Sequence, residues 1–242
     1  MTLIGNRAGA LVVRTVGFVL GVFGIAVMLT VSDAGTMLSY YTMQTNIFTV
    51  GAFGILAVMT AVQIKRGGVR GEVATFGASA HLALTFYITI TFVVYWAMLS
   101  WQNFDMGGGD SARVALTNAA NYTVHGVVPV LAVLDWILFM PHGRLRAVHA
   151  AEWLVYPALY AVFIFIRAEA APPFYGTTRY PYPFIDVDVL GGWVALIVIA
   201  MAVAFYALGR LFVFLDGKLA VKTAALICAA AESEYVREEK AE

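Results

Sequence analysis

Asn118, Asn121 and His125 lie in the fourth apolar stretch of the chain at spacing i, i+3, i+7, which puts them on one helical face. An ionisable residue at bilayer depth is costly and is a functional-site hypothesis by default. The second apolar stretch opens with Thr42, Thr45, Asn46 and Thr49, also on a single helical face. Hydroxyls, amides and an imidazole are the set required for nucleophilic acyl transfer. That chemistry needs a hydroxyl, a base within about 2.6–3.2 Å of it, and donors for the oxyanion. Thr42 or Thr45 offers the hydroxyl. Histidine ordinarily titrates near pH 6.5, so His125 offers a base suited to neutral conditions. Asn46, Asn118 and Asn121 offer amides to orient the imidazole or to hold an oxyanion. The alternative for the same residues is structural: hydroxyls bonded to the carbonyl four residues back, and a neutral histidine between helices.

Depth tests the pairing. If the fourth helix starts at Val114, His125 lies roughly 16 Å into it at ~1.5 Å per residue. Thr45 and Asn46 lie about a turn below the outer surface, so the groups come level only if the second helix starts earlier or the loop from Thr36 continues it. Further polar candidates lie in the fifth stretch, where Glu152, Tyr156, Tyr160 and Arg167 fall close to one face. Tyr156 and Tyr160 suit a cavity wall, and Arg167 suits either an anionic group at the outer mouth or snorkelling to the interface. His81, with Thr85, Thr89, Phe92 and Trp96 at helical steps, reads as a packing face. Asp135 is placed to pair with an arginine of the inner side, and His142 and His149 fall in a basic loop expected to face water. There is no HExxH and no carboxylate–histidine cluster, so neither metal nor cofactor is expected.

The elements that position these residues are membrane spans. The chain of 242 residues is 61% hydrophobic and 12% charged, with mean hydropathy +0.81, a composition that a polytopic membrane protein requires. Six stretches (8–29, 43–64, 74–99, 114–140, 150–167 and 188–215) reach the ~20 residues that cross a bilayer. The expected fold is an all-α bundle of six transmembrane helices over 1–215, with a charged tail over 216–242. Of the 15 basic residues, 12 fall on one side; Arg113, Arg167 and Arg179 fall on the other. The positive-inside rule then puts both termini in the cytoplasm, and the expected location is the cell membrane. Net charge is zero with no dense basic cluster, which argues against a nucleic-acid partner. Cys228 is the only cysteine, so no internal disulfide forms. Gly107 to Ser111 reads as a turn with Asp110 or Ser111 capping the next helix. The Pro- and aromatic-rich segment from Pro172 to Phe184 cannot be regular helix, and reads as an interfacial aromatic belt or as a lid.

Three motifs resemble one family in chain order. Asn121-x-x-x-His125 followed by Pro129 resembles the fourth span of the androgen-induced and androgen-dependent multipass membrane proteins. Tyr182-Pro183-Phe184 before the last helix is similar to the Tyr-Pro-Phe element of that family, and Tyr41-Thr42 to Asn46 to its Thr-containing segment. The form Tyr-Thr-x-Gln-Thr-Asn is closer to its bacterial six-pass relatives. The resemblance implies a threonine–histidine hydrolase of fatty acid esters of hydroxy fatty acids. It makes His125 the base and Thr42 the nucleophile, with Thr45 second. On that basis the expected function is membrane-embedded hydrolysis of a lipid or fatty-acyl ester. Thr42 and His125 react, Tyr156, Tyr160, Tyr182 and Arg167 contact substrate, and Phe48, Phe92, Trp96, Tyr156 and Tyr160 line an acyl cavity. The alternative from another class is a non-catalytic binder or transporter of a small amphiphile using the same polar stripes. The oligomeric state is not encoded in any of these features.

Overall fold

The computed structural model describes residues 2–101 and 109–239. The described residues form an all-α bundle, and six of its helices are long and apolar enough to cross a membrane. These spans are Arg7–Met28, Tyr41–Gly67, Ala78–Leu99, Ser111–Phe139, Ala147–Ala170 and Trp193–Leu226, each overlapping one expected stretch. Their outward faces are apolar: Val12, Val58, Leu159, Ile166 and Val203 are each more than half exposed, the surface a bilayer solvates. Gly107 and Gly108 of the expected turn, and Lys240 and Glu242 of the tail, lie outside the described residues. Asp110 caps the fourth span by accepting from Arg113 N–H at 2.8 Å. The last helix runs unbroken from Trp193 to Glu239, so the chain stays helical through residue 215 and into the charged tail.

The first three spans and the fourth form the tightest part of the bundle. Gly17, Gly21 and Gly24, at i, i+4 and i+7, let the first span approach its neighbours closely, as small residues do between membrane helices. A Cβ on Gly24 would stand 2.8 Å from Val124 Cγ1, and one on Gly21 would overlap Val50 Cγ2.

A buried polar cluster ties the same spans together nearer the basic side. Arg14 and Asp135 are both fully buried and form a bidentate pair, Nε–Oδ1 at 2.8 Å and Nη2–Oδ2 at 3.1 Å. Arg14 Nη1 also donates to Thr60 Oγ1 at 2.7 Å. His81 Nε2 lies 3.2 Å from Asp135 Oδ2, and His81 Nδ1 lies 3.1 Å from Thr75 Oγ1. Asp135 therefore takes its arginine from within the first span, and His81 belongs to an ionic cluster rather than to a packing face. The expectation that His142 faces water is also corrected: it is buried, 3.2 Å from Asp216 Oδ1. The other Asp216 oxygen accepts from the N–H groups of Gly143 and Leu145, so the inner loop folds onto the last helix and covers the imidazole.

The opposite end of the bundle is closed by loops that pack inward. A one-turn helix, Ala34–Leu38, is capped by Asp33 and lies just before the second span. The segment after the fifth span turns at Phe174–Thr178 and then forms a 3-10 turn at Pro183–Ile185. Phe174, Tyr180 and Ile185 are buried, so this segment covers the bundle end and does not lie flat as a belt. Arg179 clips it through Asp188 at 2.6 Å and Glu169 at 2.7 Å. These layers bring the start of the second span below the surface, which closes the depth gap between Thr42 and His125.

Candidate active site

Thr42 is the second residue of a 27-residue helix, where the first N–H groups have no carbonyl within the helix. Its neighbourhood is set by the outer layers. Tyr160 OH accepts from Tyr41 N–H at 3.1 Å and donates to Ser39 O at 3.1 Å. Arg167 Nε donates to Ser39 Oγ at 2.9 Å, Nη1 donates to Pro172 O at 3.1 Å, and the guanidinium lies 3.9 Å over the Phe174 ring. Arg167 and Tyr160 thus anchor the turn that delivers Thr42.

His125 reaches the same point through an irregularity. Thr123–Val127 is a π turn, of the kind that collects at functional sites, and Val128 N–H reaches back five residues to Thr123 O. Pro129 has no N–H to give the carbonyl of residue 125, and Trp96 Nε1 supplies that bond at 3.1 Å. Trp96 itself belongs to a second π turn, Tyr95–Leu99 in the third span. Tyr95 stacks on His125 with centroids 3.9 Å apart. Asn121 Nδ2 donates to the Tyr95 hydroxyl at 2.6 Å, so amide, phenol and imidazole form one packed unit.

The contact between the two arms has the geometry of a nucleophile and its base. Thr42 Oγ1 lies 3.2 Å from His125 Nε2, and His125 Nδ1 lies 2.9 Å from Asn121 O. A carbonyl only accepts, so Nδ1 carries the proton and the Nε2 lone pair faces the hydroxyl. Asn46 Nδ2 donates to Thr42 O at 2.9 Å and to Val124 O at 3.0 Å, pinning the two backbones to each other. No family model, curated protein or solved structure matches the chain.

Two cavities meet at Thr42. The larger, about 340 Å³, extends between the third, fifth and sixth spans, and the smaller, about 70 Å³, lies beneath the outer loops. Thr42, Tyr95, Leu99 and Tyr182 line both, whereas His125 and Asn121 line only the smaller. The Tyr182 phenol is held above its ordinary pKa by burial, partly offset by the polar groups around it: the Tyr160 hydroxyl, the Thr42 side chain, and the backbone of Thr42 and Tyr41. It therefore stays protonated at neutral pH, beside Thr42 in the wall of both cavities.

Other expected residues are placed elsewhere. Thr45 Oγ1 is fully buried, donates to the carbonyls of Tyr41 and Thr42, and pairs with Thr91 Oγ1 at 2.8 Å, so its hydroxyl is not brought to His125. Asn118 is exposed and lines neither cavity. Tyr156 donates to Gln44 Oε1 at 2.9 Å and packs on Tyr41, Phe48 and Tyr87 outside both cavities. Phe48, Phe92 and Trp96 do not line the larger cavity either; Ile90, Val94, Ile164, Phe165, Met201 and Phe205 do. Arg167 is occupied by Ser39 and Pro172 and borders neither cavity, so it holds the loop that holds Thr42. Tyr95 carried no signal in the sequence, because its approach to His125 depends on π turns that helical spacing does not register.

Proposed function

We propose that the protein is a multipass hydrolase of lipid esters in the cell membrane, its basic side and both termini cytoplasmic, with Thr42 as nucleophile and His125 as base. The observation that carries this reading is the chain Thr42 Oγ1, His125 Nε2, His125 Nδ1, Asn121 O, at 3.2 and 2.9 Å, set where two cavities meet. Nucleophile, base and an acceptor that orients the base are the parts a covalent hydrolase needs.

In this reading Nε2 takes the Thr42 proton as Oγ1 bonds to the ester carbonyl carbon. The negative charge that develops on the carbonyl oxygen faces the Tyr182 hydroxyl and the positive end of the helix that Thr42 opens. The imidazolium returns its proton to the departing alkoxide, leaving an acyl group on Thr42. A water molecule activated by the same nitrogen then releases the acid. The orienting acceptor is a neutral carbonyl where a Ser-His-Asp triad has a carboxylate, so the imidazolium gains less stabilisation here and turnover is expected to be slow. No step calls for a cofactor.

The test is reaction of the detergent-purified protein with a fluorophosphonate probe, the adduct being located by mass spectrometry. An adduct on Thr42 that disappears with His125→Ala is expected, while Thr45→Ala retains it. Well-folded protein that takes no label would overturn the hydrolase reading in favour of a binder or carrier of an amphiphile.

A further inference from the structure

We infer that the site accepts its substrate in one direction only: the acyl chain in the larger cavity, and a compact polar alcohol in the smaller. The substrate class is then a single-chain acyl ester of a small polar alcohol. This rests on the hydrolase reading above and narrows it. Collapse of the tetrahedral adduct breaks the bond between carbonyl carbon and alcohol oxygen, and that oxygen takes the proton held on His125 Nε2. The departing alcohol must therefore lie on the imidazole side of Thr42. Only the smaller cavity has His125 and Asn121 in its wall. The acyl carbons stay bonded to Thr42 Oγ1 and extend the other way.

Size and lining agree with this division. The larger cavity has about 340 Å³ against about 70 Å³, and beyond the residues around Thr42 its wall is almost wholly aliphatic and aromatic, as at Leu154, Pro157, Ile164 and Met201. The smaller is bordered by Met28, Val31 and Met37 but also by Tyr40, Tyr175 and Tyr182 and by Asn121 and His125, so it holds partners for hydroxyl groups on the leaving alcohol that the larger cavity lacks. The exits agree as well. Ala158 and Ala202 line the larger cavity and are exposed on the lipid-facing surface, so a chain enters sideways from the bilayer. Tyr175 and Pro181 put the smaller cavity under the outer loop, toward water.

The experiment compares dodecanoyl and butanoyl esters of glycerol with the dodecanoyl ester of a long-chain hydroxy acid, using the unaltered protein, Ala161→Phe and Met37→Ala. Ala161 borders only the larger cavity and Met37 only the smaller. The glycerol esters should be the better substrates. Ala161→Phe should lower kcat/KM about tenfold for the dodecanoyl ester, in line with what one mismatched group in an apolar pocket costs, and leave the butanoyl ester unchanged. Met37→Ala should improve only the bulky-alcohol ester. Faster cleavage of the hydroxy-acid ester by the unaltered protein, or an altered alcohol preference in Ala161→Phe, would overturn the assignment. A second readout does not need turnover. Thr42→Ala protein is irradiated with dodecanoic acid carrying a terminal diazirine. Label on residues 154–165 or 198–205 supports the placement of the chain even if no ester is cleaved, an outcome that removes the hydrolase reading alone. Label on residues 28–37 or 175–181, or no label anywhere, overturns it.

Discussion

At the scale of single residues, a hydroxyl that reacts and a hydroxyl that packs are distinguished by their partners. Thr42 Oγ1 faces an imidazole nitrogen at 3.2 Å, whereas Thr45 Oγ1 is engaged by carbonyls and by Thr91. Thr42→Ser should keep fluorophosphonate labelling, and Thr42→Val, which preserves shape but has no hydroxyl, should abolish it with little change in melting temperature. Thr45→Val should do the reverse, keeping the label and losing about 1 kcal/mol of stability, the usual worth of a hydrogen bond between membrane helices. The buried ion pair makes a larger demand. Replacing Asp135 with leucine strands the Arg14 charge and should cost about 3–5 kcal/mol, measured by thermal unfolding in detergent, while Arg14→Met together with Asp135→Leu should restore most of that loss. Thr42, His125 and Asn46 were legible in the sequence because their polarity stands out in apolar helices, and Tyr182 because it opens the Tyr-Pro-Phe element of the loop before the last span. Tyr95 and Arg14 were not: an aromatic near a span end looks like a belt residue, and an arginine seven residues into the first span looks like inner-side charge.

At the scale of elements, the two π turns set which residues meet. Spacing by 3.6 groups Asn118 with Asn121 and His125, but Asn118 is exposed while His125 is buried. The wide turn at Thr123–Val127 accounts for that failure, since it changes the rotation of the helix below Tyr122 relative to the part above. Deleting Gly126 would return the fourth span to a regular helix and swing one half relative to the other. Probe labelling should vanish while the helical content, read by circular dichroism, stays unchanged. Packing of the first span on this turn is equally exacting. Gly24→Ala places a methyl 2.8 Å from Val124 Cγ1, and overpacking of that kind costs about 1–3 kcal/mol. The expected result is a lower melting temperature together with weakened labelling, because Val124 precedes His125.

At the scale of the whole molecule, six spans and their apolar surface were legible from composition and stretch length, which report the solvent around a helix directly. The inward-packed loops were legible only as segments unable to be helix, since prolines say where a helix stops but not what the chain then covers. Orientation has a direct measurement. Cys228 is the sole cysteine and is exposed, so a membrane-impermeant maleimide should label inside-out vesicles and leave intact cells unlabelled; labelling of intact cells would reverse the topology. The Arg14–Asp135 pair also has a consequence for biosynthesis. Its members are 121 residues apart, so at 5–20 residues per second the ribosome makes the second roughly 6–24 s after the first. Throughout that interval the first span carries an arginine with no counter-ion. It must wait at the interface or beside the insertion machinery, and it can settle at its final depth only when the fourth span arrives. The half of the molecule that bears His125 is thus also the half that completes insertion of the helix made first.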